Sequence, residues 1–228
     1  MTLEKEFSNM SLLDSDTDYS GFLKVLSIDV GVQHLGLSLA LVNKDDYTFD
    51  RIVDINLVDI TKFTHNVCDK GHCKLLHTKT FYDWLTHVFV EHLCFEQADV
   101  ILIERQPPRG FVVVEQVIFG KYREKSWLIS PNSIHKYMSI GHLDYEGRKL
   151  STVNMAKKYF TEELKFQLSK YDREHDVADS VCQILYWCDK RNNEYRLEQR
   201  KNSFNLKNID CIKFLESFRY KKCLTLFT

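Results

Sequence analysis

The sequence predicts an α/β fold, in which helices flank a mixed sheet of five strands. Three observations support this prediction: short, strongly apolar runs typical of strands, longer segments with apolar residues at helical spacing, and their order along the chain, β-β-β-α-β-α-β-α-α. With 228 residues, of which 44% are hydrophobic and 13% aromatic, the chain can bury a sizeable core. Its 3 prolines and 8 glycines exclude fibrous and low-complexity architectures.

The first three strands are predicted to form an antiparallel meander. Residues 23–30 are mostly apolar and lead into Gly31, which indicates a buried central strand. Residues 35–42 continue the apolar pattern after a short turn, and apolar residues alternate with polar ones over 50–57. Short connections favour pairing between consecutive strands.

The rest of the chain alternates predicted helices with two further strands. Apolar and aromatic residues recur at helical spacing over 81–96. The run VILIE at 100–104 predicts a strand, which Pro107 and Pro108 end because proline cannot donate a ladder hydrogen bond. The remaining elements are a helix over 112–122, a strand over 126–130, a turn or short helix opening at Pro131, and helices over 148–168 and 174–189.

Composition along the chain predicts one main domain with two appendages. Residues 1–21 are polar and are expected to form a flexible leader, whereas 22–190 form the globular domain. Residues 186–228 carry ten Lys or Arg and five Asp or Glu, a net charge of +5, which leaves −6 on the rest of the chain. This asymmetry predicts a basic C-terminal extension over 191–228 and a polyanionic partner that touches one side of the protein.

The chain lacks the features of a secreted or membrane protein. Its 7 cysteines are an odd number and scattered, and its first twenty residues are polar and acidic rather than those of a signal peptide. No run approaches the roughly 18 apolar residues that a membrane span needs. We therefore expect an intracellular protein with no membrane partner.

A polar insertion at 61–78 concentrates ligand-type side chains. His65, Cys68, Cys73 and His77 lie within thirteen residues, with the pattern H-x2-C-x4-C-x3-H. Two thiolates and two imidazoles can bind Zn²⁺ tetrahedrally, and such a site would stabilise a polar loop. The spacing differs from zinc-finger patterns, so the alternatives are a structural Zn²⁺ site and an ordinary surface loop.

Four acids stand out by their positions. Asp29 and Glu104 lie at the ends of very apolar predicted strands, where a lone carboxylate is costly unless a cation or hydrogen bonds compensate it. Asp176 and Asp179 are spaced i, i+3 at the start of a predicted helix and project to one face. The helix dipole alone also favours acids there. Three or four converging carboxylates are, however, the ligand set that Mg²⁺ or Mn²⁺ requires.

The motifs that contain these acids resemble those of a known family. IDVG at 28–31, ILIERQPPR at 101–109, ISP at 129–131 and DVADS at 176–180 look like the motifs of poxvirus-type Holliday junction resolvases, a branch of the RuvC-like nucleases with a ribonuclease H fold. The resemblance covers about 22–190 in the same order. ERQPPR and DVADS are specific in combination, whereas D-x-G alone is weak.

The resemblance implies a fold, an activity and a site. It implies a ribonuclease H-like fold and an endodeoxyribonuclease that resolves four-way DNA junctions by paired phosphodiester hydrolysis. Two Mg²⁺ (or Mn²⁺) ions would activate a water and stabilise the leaving oxygen. It further implies a homodimer and a role in replication and recombination at cytoplasmic viral replication sites. The helices at 81–96 and 112–122 are the alternative interfaces, because each has more apolar residues than one face of a sheet requires. The acids that it identifies as catalytic metal ligands are Asp29, Glu104, Asp176 and Asp179.

This chain departs from the family pattern at one position of the site. His175 stands where the family pattern has a further acid, so it is expected to be a ligand, a proton-transfer group or only a helix cap. It lies outside the core set of four acids.

Basic residues beside the motifs are candidates for DNA contact. Arg105 and Arg109 flank the proline-stiffened turn after the second motif, where their guanidinium groups could meet a phosphate backbone. Without the neighbouring acid they would be an ordinary solvated pair. The other candidates, each also compatible with a solvated surface, are Lys121, Arg148, Lys149, Lys157 and Lys158.

Three other functions are compatible with parts of the pattern. A ribonuclease H acting on RNA–DNA hybrids would share the metal-binding scaffold, and a DNA-binding or assembly subunit could use the same scaffold without catalysis. Retention of all four acids argues against the second of these. An actin-like ATPase or sugar kinase also has D-x-G after its first strand, but this sequence lacks a second glycine-rich phosphate loop.

Overall fold

The computed structural model describes residues 18–31, 33–64 and 80–224. Five strands and seven helices account for most of them, together with short 3₁₀ turns. In chain order they are β1 (Phe22–Val30), β2 (His34–Asn43), β3 (Phe49–Asp59), α1 (Phe81–Glu91), α2 (Cys94–Gln97), β4 (Val100–Glu104), α3 (Val112–Lys121), β5 (Ser126–Ile129), α4 (Pro131–Tyr137), α5 (Tyr145–Ala156), α6 (Glu162–Leu168) and α7 (Glu174–Leu224).

The five strands form one mixed sheet in the order β3-β2-β1-β4-β5. The first three strands pair antiparallel as a meander, and β4 lies parallel to both β1 and β5. The predicted fold class, a mixed five-stranded sheet flanked by helices, is therefore confirmed. β1 is central, which agrees with its buried, mostly apolar sequence.

Each face of the sheet has its own hydrophobic core because side chains alternate along every strand. On one face, Leu26 and Ile28 pack with residues of α1, α2 and α3. On the other face, Val25 and Leu102 pack with residues of α4 to α7. The residues of β1 that share the second face include Ser27 and, two positions on, Asp29. The strand-end acid thus points toward α7.

Buried polar contacts set the position of α7 on the sheet. The Ser27 hydroxyl donates to Gln183 Oε1 over 3.3 Å, and the Ser38 and Ser180 hydroxyl oxygens lie 2.6 Å apart. All four side chains are fully buried. Because an unmade buried hydrogen bond costs about 1–3 kcal/mol, a slip of the helix along the sheet would be penalised at several atoms together.

Gly36 lets the first turn of α7 approach β2 at backbone distance. A Cβ atom there would collide with the backbone carbonyl of Asp176 and would lie 2.8 Å from the backbone nitrogen of Val177. Any side chain at this position would therefore push the helix away from the sheet. Since Gly36 pairs directly with Asp29 in the β1–β2 ladder, this contact also sets Asp176 beside Asp29.

Three predicted helices have different bounds in the structure. The segment 81–96 is divided into α1 and α2, and the segment 148–168 into α5 and α6. Thr161 begins α6, because its side chain accepts a hydrogen bond from the backbone N–H of Leu164 over 3.3 Å. The last helix does not end near residue 189 but continues to Leu224, across the predicted domain boundary at 190.

Two predicted segments lie largely outside the residues that the structure describes. Residues 1–17 of the predicted leader and 65–78 of the Cys/His insertion lie outside the described residues. Within the described ranges, no helix combines the length and the apolar character needed to cross a membrane.

We expect Gly36→Ala to lower the free energy of unfolding by about 1–3 kcal/mol or more, as overpacking against backbone generally does. The new methyl group has no flexible side chain to displace, so α7 or β2 must move. Urea-induced unfolding followed by circular dichroism measures the change.

The matched control is Gly120→Ala in α3. An added Cβ at Gly120 meets no atom within 4 Å, so alanine should be neutral or stabilise by up to about 1 kcal/mol. A Gly36→Ala protein as stable as the control would contradict the close approach.

Candidate active site

The four predicted carboxylates come together at the carboxyl ends of β1 and β4. Ile28 of β1 pairs in parallel with Ile103 of β4, so the next residues, Asp29 and Glu104, are side by side. The first two turns of α7 carry the acids at 176 and 179, and the Gly36 contact holds the helix against this part of the sheet. Each of the three other acids acts electrostatically on Asp29.

Asp29 is the most strongly perturbed of the four. Burial raises its pKa well above the ordinary range, and the negative charges of Glu104, Asp179 and Asp176 raise it further. The Asp29 and Glu104 carboxyl groups also share a hydrogen bond. Burial and the neighbouring negative charges thus favour the neutral form of Asp29 more than they would for an exposed carboxyl group.

The pKa values of two other acids shift in the same direction. Burial raises the pKa of Asp179 to about 7; Glu104 and Asp176 add to this, while a hydrogen bond with Thr152 and the charge of Lys149 oppose it. Burial also raises the pKa of Glu104, against the hydrogen bonds that it accepts. Converging acids with raised pKa values indicate a functional cluster rather than a solvated surface.

Arg173 supplies a positive charge to the cluster. Its Nε donates to Asp176 Oδ2 over 2.6 Å and its Nη2 to Oδ1 over 3.1 Å, a bidentate ion pair with a nearly buried carboxylate. Asp176 must release this arginine before both of its oxygens can bind a cation. As the side chains stand, no three His, Cys, Asp or Glu side chains in the described part of the chain are arranged to hold one ion.

Gln106 holds the Glu104 carboxylate through a hydrogen bond. Its Nε2 donates to Glu104 Oε2 over 2.7 Å. An amide donor satisfies one oxygen of this carboxylate and leaves the other available. Gln106 thus limits the orientation of a side chain that also hydrogen-bonds to the Asp29 carboxyl group and to the backbone of Val30.

His175 lies at the edge of the cluster. Its Nε2 is 3.0 Å from Asp176 Oδ1, but the contact lacks the geometry of a hydrogen bond. Burial lowers the pKa of His175, while the charge of Asp176 opposes that shift. None of the three predicted roles of this histidine is decided by the contact.

The predicted DNA-contacting residues are distributed unequally around the cluster. Arg105 and Arg109 are exposed on the loop after β4, next to Glu104. Lys149 of α5 acts electrostatically on Asp179, and its Nζ lies 4.0 Å from the centre of the Tyr145 ring. Arg105 and Arg109 thus follow Glu104 on its loop, and Lys149 approaches the cluster from α5, although its Nζ also pairs with Glu146 over 3.9 Å.

The other basic residues lie farther along their elements or are engaged. Lys121 ends α3, the crossover helix that leads from β4 to the start of β5. It therefore lies near the amino ends of these strands, opposite the acids, and it pairs with Glu96 over 3.4 Å. Arg148 donates to the Leu143 carbonyl over 2.6 Å. Lys157 pairs with Glu174 over 2.8 Å, and Lys158 is exposed.

Sequence reasoning missed several residues of the site. Thr152, Arg173 and the amide of Gln106 touch the acids, and Glu115, on α3, contacts the loop that carries Gln106. Only Arg173 left a usable signal, because it stands three residues before Asp176 at a helix start. The proposed zinc ligands His65, Cys68, Cys73 and His77 lie outside the described residues, and the zinc hypothesis stays a prediction.

Most of the chain matches one family model. The family model described as "Poxvirus A22 protein" matches residues 24–191. No curated protein sequence matches the chain.

Solved structures share the fold. The fowlpox virus resolvase in complex with substrate Holliday junction DNA has 15% sequence identity and a TM-score of 0.53, over 74% of this chain and 98% of that chain. The yeast mitochondrial Holliday junction resolvase has 20% identity and a TM-score of 0.53, over 78% of this chain and 85% of that chain. At these identities the likeness establishes a common fold, which confirms the ribonuclease H-like architecture.

The raised pKa of Asp179 makes a prediction for the chelator-treated protein. Its value of about 7 in the folded chain exceeds the ordinary 3.8, so the folded state binds the extra proton and its stability falls as the pH rises between these values. We expect Asp179→Asn to exceed wild type in free energy of unfolding at pH 8 by roughly 2–4 kcal/mol, at about 1.4 kcal/mol per pKa unit. The advantage should disappear toward pH 4.

Urea titrations at several pH values measure the difference. Asp189→Asn, which changes an exposed carboxylate of the same helix, is the control and should show no such pH dependence. An equal stability of wild type and Asp179→Asn at pH 8 would contradict the proposed burial of this charge.

Proposed function

Because the chain belongs to the Poxvirus A22 protein family, the family of poxvirus Holliday junction resolvases, we propose that it resolves four-way DNA junctions by metal-dependent hydrolysis. Family membership supports endonuclease activity. The observation that carries the assignment of the site is the convergence of four carboxylates, from three separate elements, at the carboxyl ends of β1 and β4.

The proposed cofactor is a pair of Mg²⁺ or Mn²⁺ ions. The chemistry of the cluster fits them, since Asp29, Glu104, Asp176 and Asp179 offer only hard oxygen donors, and four carboxylates this close need cations to be ionised together. Bound ions would supply positive charge that activates a water and stabilises the leaving oxygen of the phosphodiester.

The side chains of the chain have distinct tasks in this proposal. Asp29 and Glu104, on neighbouring parallel strands, form the rigid side of the site because the strand ladder holds their backbones. Asp176 and Asp179 form the side contributed by α7. Because burial raises the pKa of Asp29 and of Asp179, cations at the site would compete with protons for these two acids, and a cation that takes both oxygens of Asp176 would displace Arg173.

The basic residues around the cluster are proposed to bind the DNA backbone. Arg105 and Arg109 are exposed on the loop after β4, where bidentate guanidinium groups can take phosphate oxygens. Lys149 approaches from α5, and Lys157 and Lys158 follow on the same side. Contacts to phosphates rather than bases suit an enzyme that recognises a branched shape.

A two-fold homodimer is the proposed working unit, because a four-way junction needs one cut in each of two symmetry-related strands and each chain offers one carboxylate cluster. The surface of α1 and α3 supports an interface there. Val90 and Val113 are 59% and 55% exposed, whereas their neighbours Val88 and Val114 are fully buried. Apolar residues thus continue past the face that the sheet covers.

Further assignments rest on the same family membership. The proposed setting is viral genome replication and recombination at cytoplasmic sites in the host cell. Residues 22–190 are proposed as the nuclease domain, with residues 191–228 as a basic extension, of which the described part continues α7 to Leu224.

Asp29→Asn and Glu104→Gln should each reduce cleavage of a synthetic four-way junction by about a thousandfold or more, since each keeps the shape of the side chain but removes a charge that holds the cations. Junction binding without cleavage should stay near the wild-type affinity. Single-turnover cleavage in Mg²⁺ and gel-shift binding in Ca²⁺ measure the two effects.

Linear duplex and an RNA–DNA hybrid are the substrate controls. Near-normal turnover by either variant would overturn the assignment of the carboxylates. Efficient cutting of the hybrid without cutting of the junction would favour a ribonuclease H-type activity, and binding of junctions without cutting by wild type would favour a non-catalytic subunit.

The dimer proposal predicts that Val90→Lys and Val113→Lys, alone or together, give monomers in light scattering, because each places a charge in an apolar interface. Phe166→Lys on α6 is the matched control, since Phe166 is 66% exposed on the other side of the sheet. Dimers that persist in the double variant, or a single chain per junction making both cuts, would overturn it.

A further inference from the structure

A continuous set of hydrogen bonds connects α3 to the carboxylate cluster. Glu115 Oε2 accepts the backbone N–H of Gln106 over 2.5 Å. The Gln106 side chain then donates from Nε2 to Glu104 Oε2 over 2.7 Å. Glu115 is thus connected to Glu104, a proposed metal ligand, through a single residue, Gln106. This is so although α3 packs mainly in the core on the face of the sheet opposite α7.

Glu115 is an unusual residue for its position. Its side chain is only 3% exposed, although it lies in the first turn of α3, between Val114 and Gln116 in the sequence. No Lys or Arg within the described residues forms an ion pair with it. Its two oxygens are taken up instead by the Gln106 N–H and by the Gln116 side-chain amide over 2.6 Å. Burying a carboxylate without a cation is costly, so apolar packing does not account for it.

The loop from Gln106 to Phe111 is folded around the Gln106 side chain. Its Oε1 accepts the backbone N–H of Phe111 over 3.3 Å, and the Gly110 N–H donates to the Pro107 carbonyl over 2.7 Å. A Cβ at Gly110 would lie 3.0 Å from Gln106 Oε1. The oxygen and the nitrogen of the Gln106 side-chain amide are both hydrogen-bonded, and Glu115 binds its backbone N–H. These contacts together fix the rotamer that faces Glu104.

We propose that Glu115 and Gln106 are positioning residues for the metal site, with Glu115 acting through Gln106. Glu115 fixes the backbone at the start of the loop, and Gln106 fixes the orientation of the Glu104 carboxylate. Partners of this kind behind ligands commonly change metal affinity or activity by about 10–100-fold when removed. The inference rests on the proposed function only in that Glu104 is taken as a ligand.

The first test compares Mn²⁺ binding by the full-length protein, measured by calorimetry. Gln106→Ala and Glu115→Ala should each weaken Mn²⁺ binding by about tenfold. Glu115→Gln should restore binding to within about threefold of wild type, because its amide oxygen can still accept the Gln106 N–H. Thermal unfolding of each variant identifies any that fail to fold, and Gln106→Ala, which removes no buried charge, keeps the test decisive in that case.

The second test asks whether the two residues act in series. If Glu115 works only through Gln106, the double variant Gln106→Ala with Glu115→Ala should bind Mn²⁺ no more weakly than the weaker single variant. Losses that multiply to about a hundredfold would overturn the series. Single-turnover cleavage of a four-way junction should follow the Mn²⁺ order, while junction binding in Ca²⁺ should change by less than about threefold.

Gln116→Ala is the matched control. It removes the hydrogen bond to the other oxygen of Glu115 and leaves the loop contact in place, so Mn²⁺ binding should stay within about twofold of wild type. A tenfold loss in this control, or unchanged Mn²⁺ affinity in Gln106→Ala, would overturn the inference. Wild-type protein that binds Mn²⁺ but cuts no junction would overturn the proposed function alone, and protein that binds no Mn²⁺ would overturn both.

Discussion

Mutual repulsion among four carboxylates, of which Asp29 and Asp176 are buried and Glu104 and Asp179 half-buried, is the constraint on which the rest of this structure depends. Asp29 is almost inaccessible and faces three other acids, so the cluster cannot be fully ionised without positive charge close by. The ion pair of Arg173 with Asp176 and the hydrogen bond from the Gln106 amide to Glu104 provide partial compensation. An arrangement that costs free energy in this way persists because the surrounding sheet and helix hold the backbones in place.

The sheet divides the molecule into a side that carries the cluster and a side that supports it. Side chains that alternate along β1 send Asp29 toward α7 and Ile28 toward α1 and α3. The loop after β4 connects the two sides, since it joins a strand that ends at Glu104 to a helix that contains Glu115. The same crossover therefore serves the parallel pairing of β4 with β5 and the orientation of a carboxylate.

Much of the fold followed from local patterns. The five strands and the antiparallel meander of the first three were predictable because apolar runs ended at clear turn and proline signals, whereas the place of β4 beside β1 became clear only in the structure. Helix ends were less predictable: the capping threonine at 161 lay inside an apparently periodic segment, and α7 extends beyond the apolar pattern that marked its start. The four acids of the proposed nuclease site could be identified in the sequence because two of them end apolar strands and two are spaced i, i+3 at the start of a helix.

The partners of those acids were not predictable in the same way. Arg173 and Gln106 are recognisable only once the helix and the loop are placed, since a single arginine or glutamine has no pattern in sequence. Glu115 looked like an ordinary acid of a helical turn, and its burial depends on the tertiary fold. Lys121 was a candidate for DNA contact in the sequence, but the crossover helix places it near the amino ends of β4 and β5, away from the acids.

The missing side chain at Gly36 has a mechanical consequence for the tolerance of the α7 core to sequence change. Backbone meets backbone there, so the contact does not depend on any side chain of α7. Trp187 lies eleven residues from Asp176, about 16 Å along the axis of the helix. Repacking around Trp187 therefore leaves in place the backbone contact that holds Asp176 beside Asp29.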